Sequence, residues 1–171
     1  MIEINPIRTL LYATDLSEGS IYALRYAVRM AEALDARVHV LHALRPLSED
    51  ARITLRAYVT DAGMLEAAVG SRLKTARDVM AERQRAFWEE ADPTKAARRD
   101  RIADIEIIEG QPAEVILQRS ISLGADMILM GSHEHGFSQT FLGTVAKRVM
   151  RRSRIPTLII PYPEASERPN R

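Results

Sequence analysis

The chain has 171 residues, 46% of them apolar, and Lys+Arg 24 against Asp+Glu 23 leaves a net charge of +1. That length suits one domain burying about 70% of the surface its unfolded chain exposes, and the balanced charge gives no push toward nucleic acid or a membrane surface. With no cysteine, disulfides, thiol catalysis and thiolate metal ligation are excluded.

The opening MIEINPIRTLLYATD has no basic segment followed by an apolar one, and no stretch is apolar enough to span a bilayer, so a cytoplasmic location is expected. Ile7–Ala13 reads as a strand buried on both faces. Ser17 reads as the N-cap of a helix whose apolar residues Ile21, Leu24, Ala27, Val28, Ala31 and Leu34 recur at helical spacing. Arg37–Leu44 is a second strand. In Arg45–Gly63 the alternation of Ile53, Leu55, Ala57 and Val59 with polar neighbours fits a strand and fits a helical insert equally. Met64–Ala91 is helical, with Leu65, Val69, Leu73, Ala76, Met80, Phe87 and Ala91 near one face, and Pro93 ends it.

Ile102–Ile108 is a third strand and Gly110 a turn. Pro112 opens a helix over Gln111–Leu123, since proline suits the first helical turn. Met127–Met130 is the fourth strand, Phe141–Arg152 the last helix and Thr157–Ile160 the fifth strand. Residues 162–171 lack apolar periodicity and are expected to be a disordered tail. Strands alternating with helices predict a flavodoxin/Rossmann-like, doubly wound, five-stranded parallel sheet with helices on both faces, in a single α/β domain. Such sheets hold ligands beyond the carboxyl ends of their strands, where the strand order switches. The residues behind strands one, two and four are therefore the ones of interest.

The richest of these stretches reads MILMGSHEHGFSQTFLGTVAKRVMRRSRIPTLIIP, from Met127 to Pro161. Its loop carries Gly131, Gly136 and Gly143 and feeds a helix at Gly143-Thr144, with Thr144 well suited as N-cap. Glycines admit close backbone approach, and a helix N-terminus offers free N–H donors and a positive dipole end, so the segment is a candidate phosphate cradle. Competing chemistries fare worse. His133, Glu134 and His135 follow no established ligand spacing, so no metal site is assigned. No G-x-S-x-G elbow accompanies Ser17, Ser132 or Ser138, so no catalytic residue is assigned. The arginines at positions 148, 151, 152 and 154 complement the dipole at the end of the last helix.

From Ile7 to Pro161 the chain resembles the universal stress protein family. LLYATDLSEGSIYALRYAVRMA is similar to that family's first strand and helix, VHVLHAL to its second strand, and GADMILMGSH to the approach to its nucleotide loop. The resemblance implies a domain over residues 1–161 with an insert near 45–63. It implies that Asp15 meets the adenine or ribose edge, that Ala43 offers main-chain contacts to the base, and that Met130 and Gly131 line the ribose. Gly143, Thr144 and Val145 would take phosphate. A bland competitor for Asp15 is a turn or helix cap.

ATP-binding members carry a glycine motif, G-x2-G-x9-G-[ST]. Gly131, Gly143 and Thr144 match it, but Glu134 stands at the second glycine and only eight residues separate it from Gly143. A carboxylate about 4 Å from a phosphate oxygen repels it by roughly 1 kcal/mol in water and more in a dry cleft, unless a divalent ion such as magnesium bridges them. The leading expectation is a regulatory protein that binds an adenine nucleotide, ATP or AMP, with at most slow hydrolysis. The alternative is a nucleotide-free protein acting through protein contacts. The resemblance also implies a homodimer through Thr157–Ile160, an apolar edge strand, with neither nucleic acid nor membrane as partner.

Overall fold

Five short apolar segments pair side by side as a parallel sheet, and the helices between them cover both faces. The strands are β1 (Thr9–Thr14), β2 (Arg37–Leu44), β3 (Ile102–Glu109), β4 (Met127–Gly131) and β5 (Thr157–Ile160). The helices are α1 (Ser20–Leu34), α2 (Glu49–Tyr58), α3 (Ala62–Glu89), α4 (Pro112–Ser122) and α5 (Thr144–Arg152). The structure, a computed structural model, describes residues 5–17, 19–58, 62–89, 100–132 and 142–162. The reading of His133, Glu134, His135 and Gly136, the ends expected at Ala91 and Phe141, Pro93, and residues 163–171 lie outside the described residues.

The strand order is β3-β2-β1-β4-β5. The chain builds outward from β1 to β3 on one side, then returns across the sheet to place β4 against the other side of β1. This is the Rossmann order, and its switch point lies between β1 and β4. Pairing is parallel throughout, with Leu10 opposite both Val38 and Met127. Because successive side chains point to opposite faces, Leu10, Tyr12, Val38, Val40 and Leu129 pack beneath α1 and α3. Leu11, Ala13, Leu41, Ile128 and Met130 pack beneath α4 and α5. Leu10, Leu11, Val38, Ile128 and Leu129 are fully buried, as expected of strands covered on both sides.

Several local expectations need correction. Ser17 does not cap α1; Gly19 occupies that position, without a side-chain bond to the first turn. Ser17 instead accepts the Ser20 N–H at its carbonyl (3.1 Å). The buried stripe of α1 runs through Ala23, Leu24, Ala27, Val28 and Ala31, while Leu34 is exposed. Thr144 is likewise the first helical residue of α5, with Gly143 as its N-cap.

The ambiguous alternation after β2 resolves as α2, a helix with no buried residue. Ser48 starts it: its hydroxyl accepts the Ala51 N–H (3.2 Å), and Glu49 and Asp50 in the first turn complement the dipole. Following it, α3 buries Ala76, Met80 and Phe87 on one face, packed on α1 and β3.

At the amino end of the sheet Asp126 joins β1 to β4. Its Oδ2 accepts the backbone N–H groups of Arg8 and Thr9, both at 2.8 Å, while its own N–H donates to the Thr9 carbonyl at 2.8 Å. Replacing Asp126 with alanine strands two donors, one of them half-buried, and should cost roughly 1–3 kcal/mol. A lowered urea midpoint with unchanged slope is the expected result.

Candidate functional site

At the switch point the carboxyl ends of β1 and β4 leave a cleft of about 350 Å³. It opens there because β1 is followed by α1 on one face of the sheet and β4 by α5 on the other. Asp15, Ala43, Met130, Gly131, Gly143, Thr144 and Val145 all line this one cleft. The four separate stretches named from sequence are thus brought together. Met130 is buried, Ala43 and Gly131 are half-buried, and Asp15 and Thr144 are exposed.

One wall is the loop between β1 and α1, where side chains of the loop accept two of its own amides. Thr14 Oγ1 accepts the Leu16 N–H (3.1 Å) and Asp15 Oδ1 accepts the Ser17 N–H (3.0 Å). The second bond makes Asp15 a turn-forming residue as well as a cleft residue. Leu16 holds φ 62°, in the left-handed region. A branched side chain there costs about 1–2 kcal/mol relative to its usual conformation, so the flanking bonds must enforce it. Beneath this loop the buried Tyr12 hydroxyl donates to the Ser20 carbonyl (2.7 Å), and burial pushes its pKa upward from the ordinary phenol value. His42, near the end of β2, donates Nδ1–H to the Thr14 carbonyl (2.9 Å), which can only accept.

The opposite wall is the start of α5. Gly143 supplies no side-chain cap, so the first-turn N–H groups of Thr144 and Val145 are donors at the cleft's edge, reinforced by the helix dipole. The glycines themselves are not conformationally required. Gly143 sits at φ −57°, ψ 154°, open to any residue, and a Cβ on Gly131 would meet Ala23 at an ordinary 3.7 Å.

Sequence reasoning missed four contributors. Arg45 and Arg72 bring two cations to the cleft against one carboxylate, Asp15, among its described lining residues. Tyr22 and Tyr162 line it too, their rings edge-on at 5.8 Å. Tyr162 opens the stretch read as tail, yet its N–H donates to Ser132 Oγ (3.2 Å). Its ring presses on the Gly19 backbone so closely that a Cβ there would come within 2.8 Å. No local periodicity signals these contacts, which join residues far apart in sequence.

Comparison with known proteins agrees with this architecture. The universal stress protein family model matches residues 6–161. A universal stress protein of Thermus aquaticus is 30% identical over 154 residues, spanning 90% of this chain and 98% of its own. The UspA structure from Lactobacillus plantarum superposes with a TM-score of 0.67 at 17% identity, over 91% of this chain and 99% of that one. A universal stress protein solved in complex with cAMP gives TM-score 0.53 at 22% identity, over 93% of this chain and 100% of that one. Another from Archaeoglobus fulgidus, in complex with dAMP, gives 0.54 at 16%, over 91% and 98%.

The turn role of Asp15 is open to direct test. Asp15→Asn keeps the turn acceptor and should unfold at the wild-type urea midpoint, whereas Asp15→Ala should lose roughly 0.5–1.5 kcal/mol. Equal loss in both variants would show that charge, not the turn, matters to the fold.

Proposed function

The chain belongs to the universal stress protein family, and we propose that it is a regulatory module binding an adenine nucleotide in the cleft between β1 and β4. The reading is carried by the convergence of Asp15, Ala43, Met130, Gly131, Gly143, Thr144 and Val145 on one cleft of about 350 Å³, within the range of small-ligand sites. The adenine complexes of two relatives sharing the fold support the same ligand class. In this reading the Ala43 main chain and Asp15 meet the base and ribose edge, and Met130 and Gly131 line the ribose. The N–H groups of Thr144 and Val145, with the Thr144 hydroxyl, hold phosphate at the positive end of α5. The cleft's described lining residues include one carboxylate, Asp15, and its Oδ1 is engaged in a turn. Binding rather than turnover is the function this composition favours, with any ATP hydrolysis slow and incidental.

A second reading, a nucleotide-free protein acting through contacts, is favoured by the sequence fact that Glu134 replaces a motif glycine in a loop one residue short. Both readings include a homodimer through β5. Pro156 and Ile160 direct their carbonyls at β4 and its continuation, so by strand alternation the peptide groups of Thr157 and Ile159 point outward along the sheet edge. Ile159→Pro removes one outward N–H and should shift the sedimentation coefficient from dimer to monomer; an unchanged dimer would locate the interface elsewhere.

Calorimetric titration tests the nucleotide reading. The wild type should bind ATP or AMP at micromolar concentration, with magnesium affecting ATP more than AMP if a metal bridges Glu134. Thr144→Pro keeps the helix, because proline is tolerated at the first helical position and Gly143 already has the extended ψ that must precede it. The variant removes one phosphate-binding N–H and the hydroxyl, and should weaken binding about tenfold or more at unchanged stability. Absence of wild-type binding at millimolar nucleotide, with and without magnesium, would refute the reading, and recovery in Glu134→Gly would identify the carboxylate as the cause.

A further inference from the structure

The long helix α3 carries two arginines where an apolar residue would be expected. Arg72 and Arg83 are eleven residues apart, about three turns, and fall on the stripe of the buried Ala76, Met80 and Phe87. Each uses its guanidinium on a main-chain carbonyl of a loop at the cleft. Arg83 Nε donates to the Leu16 carbonyl (3.3 Å), and Arg72 Nη2 donates to the Arg45 carbonyl. Leu16 follows β1 by two residues and Arg45 follows β2 by one, so α3 grips both loops of the base-side wall. Arg83 is half-buried against Leu16, Met80 and Trp88 around a small void of about 20 Å³ and does not line the nucleotide cleft itself.

Leu16 gives the first of these bonds its weight. Its left-handed backbone is disfavoured, sits directly after Asp15, and is fixed by Thr14, Asp15 and Arg83 together. A half-buried cation in an apolar stripe needs a partner to compensate its lost hydration, and here that partner is the carbonyl of the strained residue. We infer that Arg83 and Arg72 are positioning residues of the ligand site: from α3 they set the loops that follow β1 and β2, one carrying Asp15 and the other starting beside Ala43 at the end of its strand, and the affinity for the base and ribose depends on them although Arg83 does not touch the ligand. This inference rests on the nucleotide reading for its ligand but not for its geometry.

Two readouts test it on the full chain. In the ligand-free protein, Arg83→Ala should speed amide hydrogen exchange at Leu16, Ser17, Gly19 and Ser20 while leaving β4 and β5 at wild-type rates. Arg72→Ala should do the same around Arg45. In calorimetry each alanine variant should weaken ATP and uncharged adenosine by the same factor, about tenfold, with Arg83→Lys recovering most of the loss. Weakening of ATP alone by Arg72→Ala would make it a phosphate ligand and overturn its positioning role. Wild-type exchange rates in both loops would overturn the inference entirely. A wild type that binds neither ATP nor adenosine would refute the nucleotide reading, and the exchange arm would still decide whether α3 sets the loops.

Discussion

The site depends on the pairing of β4 with the free side of β1. Once β1, β2 and β3 have been laid down in one direction, β1 has one unpaired edge, and β4 takes it with Leu10 to Ala13 opposite Met127 to Met130. Asp126 fixes the start of that pairing by holding the amides of Arg8 and Thr9. At the other end the two strands lead on to helices on opposite faces, α1 and α5, and among the described residues no helix or strand fills the gap between them. The cleft is the geometric consequence of this order, independent of any one cleft side chain.

Two kinds of wall then face each other. On the α5 side the donors are backbone N–H groups at a helix start whose N-cap, Gly143, makes no side-chain cap bond, at the positive end of the helix dipole. On the β1–β2 side the loops are irregular, held by Thr14, Asp15 and His42 locally and by α3 from outside. This division suits a ligand with an anionic end and a planar, hydrogen-bonding end. The two arginines of α3 also tie that helix to the site, since their bonds link it to the Leu16 and Arg45 carbonyls.

Much of this was legible in the sequence because the strands are short apolar runs with clear punctuation. Thr157–Ile160 has the bounds read from its composition, and Pro112 opens α4 at the position proline favours. The seven candidate residues were legible through their places behind strands and through the family resemblance, and the fold gathers them into one cleft. α2 was ambiguous because Ile53, Leu55 and Ala57 alternate like a strand, although Ser48-Glu49-Asp50 carried a helix-start signal. Ser17 was preferred to Gly19 as a cap because side-chain preference outweighs glycine in any local reading, whereas Tyr162 packing on Gly19 is a contact across the whole chain. Arg72 and Arg83 interrupt the apolar stripe of α3, but the carbonyls they bond belong to loops far away in sequence, so their role shows only once α3 is docked.

The measurement that bears most directly on the account is an amide NMR titration of the full chain with ATP and AMP. Saturable shifts are expected at Ala43, Gly131, Gly143, Thr144 and Val145, with the loop around Asp15 following and exposed Ile121 on α4 unmoved. Shifts confined to other surfaces, or none at millimolar nucleotide, would contradict it.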